Sequence, residues 1–100
     1  MARIRRIVHP TDFSSASGPA YRKATQLAKE NGATLLIVNV LPAIPMVGDA
    51  YMAANTYNEL LRGQRAQAQK LTDRLVKRAR GAGVKVTGTV IDFEIGRAHV

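Results

Sequence analysis

The 100 residues contain no cysteine, which removes thiol catalysis and thiolate metal sites together. The same absence fits a reducing compartment. No apolar run approaches the roughly 20 residues that a membrane-spanning helix needs, and no charged-then-apolar leader opens the chain. The familiar catalytic loops are missing as well. There is no Gly-x-x-x-x-Gly-Lys-Ser/Thr, no Gly-x-Gly-x-x-Gly between a strand and a helix, no Gly-x-Ser-x-Gly elbow and no His-Glu-x-x-His. Gly81-Ala-Gly83 precedes a strand pattern, so it reads as a turn and not as a phosphate cradle. These absences predict a soluble, cytoplasmic domain that is not an enzyme and holds no metal.

Acidic residues are also few, 7 against 15 Lys and Arg, giving a formal charge of +8. Such a balance suits nucleic acid, an anionic surface or an acidic small ligand. Much of it lies between Arg62 and Arg80, on the polar side of one predicted helix, where a solvated face with cations near the carboxyl end accounts for it. No aromatic residues are interleaved with these cations, so the stacking platform of a single-strand binder is lacking. A basic nucleic-acid module is the alternative reading of this charge. Apolar residues make up 46% of the chain and charged ones 22%, the composition of one small globular domain.

The chain is organised around Ile4-Arg-Arg-Ile-Val-His-Pro-Thr-Asp-Phe13, followed by Ser14, Ser15 and Ser17. Ile4, Ile7 and Val8 predict a short strand that Pro10 stops, and the polar residues after it predict a turn into a helix. In that helix Ala20, Ala24, Leu27 and Ala28 share one face, Ser15 or Ser17 caps the start, Pro19 suits the first turn and Asn31-Gly32 gives a left-handed stop. Thr34 to Val40 is a nearly continuous apolar run, the pattern of a parallel strand buried on both faces. Leu41 to Asp49, with two prolines and a glycine, reads as a loop. A second helix begins between Met52 and Asn58, with Leu60, Ala68, Leu71, Leu75 and Ala79 on one stripe. Gly63 inside it marks close packing or a shorter helix. Gly81 and Gly83 end it, and Val84, Val86 and Val90 then alternate with polar residues as a third strand. The order β-α-β-α-β predicts an α/β fold with a parallel sheet and right-handed crossovers.

Ligands of open parallel sheets bind beyond the carboxyl ends of the strands, which places Asp12 at the expected site. Its carboxylate either caps backbone N–H groups in an Asx turn or accepts hydrogen bonds from a ligand's hydroxyls. His9, Asp12 and Ser14 are residue types of a hydrolytic triad, but three positions so close on one turn rarely converge. His9 is expected at the strand end, bonded to backbone.

The motif Ile7-Val8-His9-Pro10-Thr11-Asp12-Phe13-Ser14, with Ala24, Leu27-Ala28, Gly32-Ala33 and Leu35-Leu36-Ile37-Val38-Asn39-Val40, resembles the amino-terminal part of the universal stress protein family, UspA-like proteins. The resemblance implies a three-layer, Rossmann-like open sheet of the adenine nucleotide alpha hydrolase type, with strand order 3-2-1-4-5 in the intact domain. It implies ATP as cofactor, Pro10, Thr11 and Asp12 on the nucleoside side with Asp12 at the ribose, and Val40 at adenine. It also implies a homodimer. The family's phosphate loop, Gly-x-x-Gly, a spacer, then Gly-Ser or Gly-Thr, has no counterpart in these residues. A stress protein that does not bind ATP is therefore a second alternative. A nucleotide alpha hydrolase enzyme would need a Ser-Gly-Gly-x-Asp-Ser loop, which is also lacking.

The domain is expected to span residues 1–94 and to be incomplete. Ile95-Gly-Arg-Ala-His-Val100 continues no pattern and matches the translation of a sequencing adapter, ATC GGA AGA GCA CAC GTC. Residues 95–100 are accordingly read as a non-native tail, and other codons in the nucleotide sequence would overturn that.

Overall fold

The computed structural model describes residues 3–42 and 54–92. They form β1 (Arg6–Thr11), α1 (Ser17–Asn31), β2 (Thr34–Leu41), α2 (Ala54–Gly81) and β3 (Lys85–Asp92). The strands make one sheet in the order β1-β2-β3, parallel throughout, with Ile7 opposite Leu35, Thr11 opposite Asn39 and Ile37 opposite Gly88. The predicted element order and parallel pairing are both found. The tail at 95–100 and most of the predicted loop lie outside the described residues.

Both connections step the same way across the sheet. Crossovers of the one favoured hand therefore put both helices on the same face. There Leu35, Ile37 and Val86 meet Tyr21, Ala24 and Ala28 of α1 and Ala79 of α2 in one buried cluster. On the opposite face Val8 is 61% exposed and Val40 47%, while Leu36 is half-buried. The described residues thus show two layers of the expected three, and β2 is fully covered on one face only. Its apolar run does not report this, because Leu36, Val38 and Val40 look the same in sequence whether or not a layer covers them.

The predicted helix stripes hold at Ala24, Ala28, Ala68 and Ala79 and fail at their amino ends. In α1 the buried residue of the first turns is Tyr21, and Ala20 is exposed. The Tyr21 hydroxyl donates to the Leu75 carbonyl oxygen at 2.8 Å, which satisfies its polar end while the ring fills the space between the helices. In α2, Leu60 is 46% exposed, and burial begins at Ala68 and Thr72. A helix of 28 residues is about 42 Å long, well beyond the sheet it packs on, so its first turns extend past the described sheet. Among the described residues Gly63 has no atom of another segment within 4 Å of where its Cβ would stand; it marks neither a close approach to them nor a helix end.

Both helices stop in the same way. Gly32 takes φ 62°, with its N–H bonded to the Lys29 carbonyl and that of Ala33 to Ala28. Gly83 takes φ 90°, with its N–H bonded to Arg80 and that of Val84 to Ala79. These are paired 5→2 and 6→1 Schellman bonds, which consume the last helical carbonyls and turn the chain straight into β2 and β3.

Candidate functional site

The site is built on the turn that joins β1 to α1. Pro10 does not stop the strand, which continues to Thr11, because β1 is the edge of the described sheet and a missing N–H is tolerated there. Thr11 then turns inward and its hydroxyl oxygen accepts the Phe13 N–H at 3.0 Å. Asp12 Oδ1 accepts the Ser14 N–H at 2.9 Å, so two successive side chains each cap the backbone two residues on. Between them Phe13 is held at φ 63°, a left-handed conformation that a bulky residue adopts only when its surroundings fix it.

Two further contacts do the fixing. The Thr11 hydroxyl donates to Ser17 Oγ at 3.1 Å, and the Ser17 hydroxyl donates to the Ser14 carbonyl at 2.8 Å. From β2, the buried Asn39 amide donates to the Thr11 carbonyl at 2.8 Å. Asn39 is the polar residue in the apolar run of β2, and that isolation is the sequence signal for a clamp that the expected site residues did not include. The start of α1 differs from expectation: Ala16 is the N-cap and makes no side-chain cap, while the Ser17 and Gly18 N–H groups bond back to Ser14 and Ser15. Pro19 brings no N–H. The amino end of α1 thus has no free donor in its first three residues.

Pro10, Thr11, Asp12 and Val40, the residues that the resemblance implies, line one open cleft of about 480 Å3 at the carboxyl ends of β1 and β2, together with Ser14 and Val38. Asp12 is fully exposed there. Its carboxyl is held below the usual range, first by the Ser14 hydroxyl and then by the Ser14 N–H, so it is ionised at neutral pH. Thr11 is buried and its hydroxyl is occupied by the turn, which leaves its backbone and methyl for the cleft. Asp12 and Phe13 also border a cleft of about 290 Å3 running toward Gln64 and Leu71 of α2.

His9 is not at the strand end and does not face this cleft. It is 5% exposed within β1, on the helix-covered side, with its ring centroid 5.9 Å from that of Tyr21. Its Nε2 has no hydrogen-bond partner among the described residues, in place of the expected backbone bond. Burial lowers its pKa. It shares no geometry with Ser14 and Asp12 that a triad would need.

A parallel α/β sheet with a polar turn and an ionised carboxylate over the carboxyl ends of its strands defines an open-sheet α/β protein. The sequence model of the universal stress protein family matches residues 3–99, and the chain belongs to that family. Among solved structures it is similar to the universal stress protein UspA from Lactobacillus plantarum, with TM-score 0.73 and 20% identity over 92% of this chain. It is also similar to a universal stress family protein from Burkholderia pseudomallei, with TM-score 0.68 and 21% identity over 89% of this chain. It spans 63% of the length of each. A search of curated proteins gave no match.

Proposed function

We propose that the cleft at the ends of β1 and β2 is the nucleoside half of an adenine-nucleotide site, and that the full-length protein is a cytoplasmic, homodimeric regulator that binds ATP without turning it over. One observation carries this reading: Pro10, Thr11, Asp12 and Val40 converge on a single cleft over a turn braced from three directions. A carboxylate offers about four acceptor sites, so Asp12 can hold the Ser14 N–H and still meet ribose hydroxyls. Val40, exposed at the end of β2, offers an apolar surface beside backbone groups of fixed direction, which suits a purine edge.

The triphosphate contributes little in this chain, since no Gly-x-x-Gly occurs in it and the first-turn N–H groups of α1 are used. Calorimetric titration of the 100-residue chain is expected to give similar, weak affinities for adenosine and ATP. Asp12→Asn keeps an acceptor for the Ser14 N–H, so thermal stability should hold while adenosine affinity falls about tenfold, the loss of a charge-assisted hydrogen bond. Unchanged adenosine affinity would reduce Asp12 to a turn residue. Micromolar ATP binding with no adenosine binding would overturn the nucleoside assignment.

A further inference from the structure

A second cleft, of about 300 Å3, opens between α1 and α2 and is lined by Arg22, Arg74 and Arg78 with Ser14, Ser17 and Tyr21. That volume is at the small end of ligand pockets. Arg74 and Arg78 are four residues apart on α2, so the helix itself stacks two like charges, and Arg22 is brought up to them from α1. Such a pair weakens an isolated helix, and a third cation adds to the repulsion. No carboxylate lines the cleft, and none of the three arginines has an ion-pair partner among the described residues. Asp12, between the lining residues Thr11 and Phe13, borders the nucleoside cleft and accepts from the Ser14 N–H, and Asp73 on α2 accepts from Gln69.

The cations are also positioned. Arg78 lies over the Tyr21 ring, 5.3 Å from its centroid, and that ring is fixed by its bond to the Leu75 carbonyl. A guanidinium stacked on a ring keeps its N–H edge for another partner. Arg22 folds back beside Gly18, its Nη1 3.5 Å from where a Cβ on that glycine would stand. The lysines of α2, Lys70 and Lys77, do not line the cleft; the cations that do are all arginine. Converging guanidinium forks match the oxygens of a phosphate better than ammonium groups do.

We infer that this cleft is a second, anion-binding site that takes the phosphate or pyrophosphate group of a small molecule, distinct from the nucleoside cleft that it adjoins at Thr11, Ser14 and Ser17. Neutralising the three cations would remove their mutual repulsion and tie α1 to α2.

The test is titration of the 100-residue chain with pyrophosphate at low salt, followed by backbone NMR shifts. Saturable binding is expected, with the largest shifts at 18–22 and 71–78. Arg22→Gln with Arg74→Gln should weaken it at least tenfold, whereas Arg62→Gln with Lys70→Gln, the same loss of charge outside the cleft, should change it less than twofold. All four side chains are exposed, so both double variants are expected to fold, as circular dichroism would verify. Equal losses in the two pairs, or no saturable binding, would overturn the site. Displacement of pyrophosphate by adenosine would merge it with the nucleoside cleft and overturn its separateness. Binding to duplex DNA with a salt slope of several, but not to pyrophosphate, would replace it with a nucleic-acid surface.

Discussion

The two faces of the sheet carry similar residues and live in different surroundings. Leu35, Ile37 and Val86 lie under two helices and are buried, whereas Val8, Val40 and Ile91 on the other face stand open among the described residues. The strands are the same strands, so intrinsic β-propensity is equal on both sides. The difference teaches that an apolar residue in this sheet leaves water mainly where a helix covers it, with Val38, 9% exposed, the exception on the other face. It also explains why the covered face holds the demanding features. His9 is buried there, Thr72 is fully buried with a hydroxyl that has no partner among the described residues, and Gly88 is pressed by α2, while the candidate nucleoside cleft borders the other side at Val38 and Val40.

The largest expected effect separates the faces directly. Leu35→Ala should destabilise by about 2–5 kcal/mol and Val8→Ala by less than about 0.5 kcal/mol in chemical denaturation. Comparable losses would mean that both faces are covered in solution and would break the contrast. Next is Gly88→Ala. A Cβ there would stand 2.6 Å from Thr72 Cγ2 and 2.7 Å from Val76 Cγ2, both on stiff β-branched side chains, so the helix must shift at a cost of about 1–3 kcal/mol.

A glycine on the uncovered part of α2 should behave in the opposite way. Gly63→Ala meets open space within a helix and is expected to stabilise by about 1 kcal/mol, read as a higher melting temperature. Destabilisation instead would reveal a neighbour over that segment.

The smallest effect is a change of slope with pH. His9 has its pKa lowered from 6.5 by burial, so below pH 6.5 the unfolded chain binds the proton more readily than the folded one. Stability is full above that value and falls as pH drops from it toward the folded pKa. The ring of Tyr21 lies 5.9 Å from that of His9, and the cation that Tyr21 already meets, Arg78, does not stabilise an imidazolium. His9→Phe should flatten this part of the profile in denaturation curves between pH 7 and pH 5, and an unchanged profile would show that His9 does not carry it.

Much of the fold was legible because punctuation and period are local. Gly32 and Gly83 end helices through their own positive φ, and the alternation of Val84 and Val86 with Lys85 follows from the two-residue repeat of a strand. Elsewhere the reading failed where a residue's role depends on a distant one. Tyr21 displaces Ala20 from the buried face because it reaches Leu75 on another helix, and Asn39 matters because it reaches Thr11 on another strand. Pro10 stays in β1 because that strand is the edge of the described sheet, which no window of sequence states. The arginine cleft was invisible for the same reason, since Arg22 and Arg74 are far apart in sequence and read singly as solvated charge.

The sequence by itself determined the element order, the parallel class and the polar turn from Pro10 to Ser14, because these follow from patterns within a few residues of each other. It also placed Asp12 at the end of a strand, where open sheets bind. Only the tertiary structure decided which face of the sheet is covered, how the Thr11 turn is braced, and that Arg22, Arg74 and Arg78 share one cleft. Those depend on which helix crosses which face and with what rotation, and that is set by packing between segments far apart in the chain.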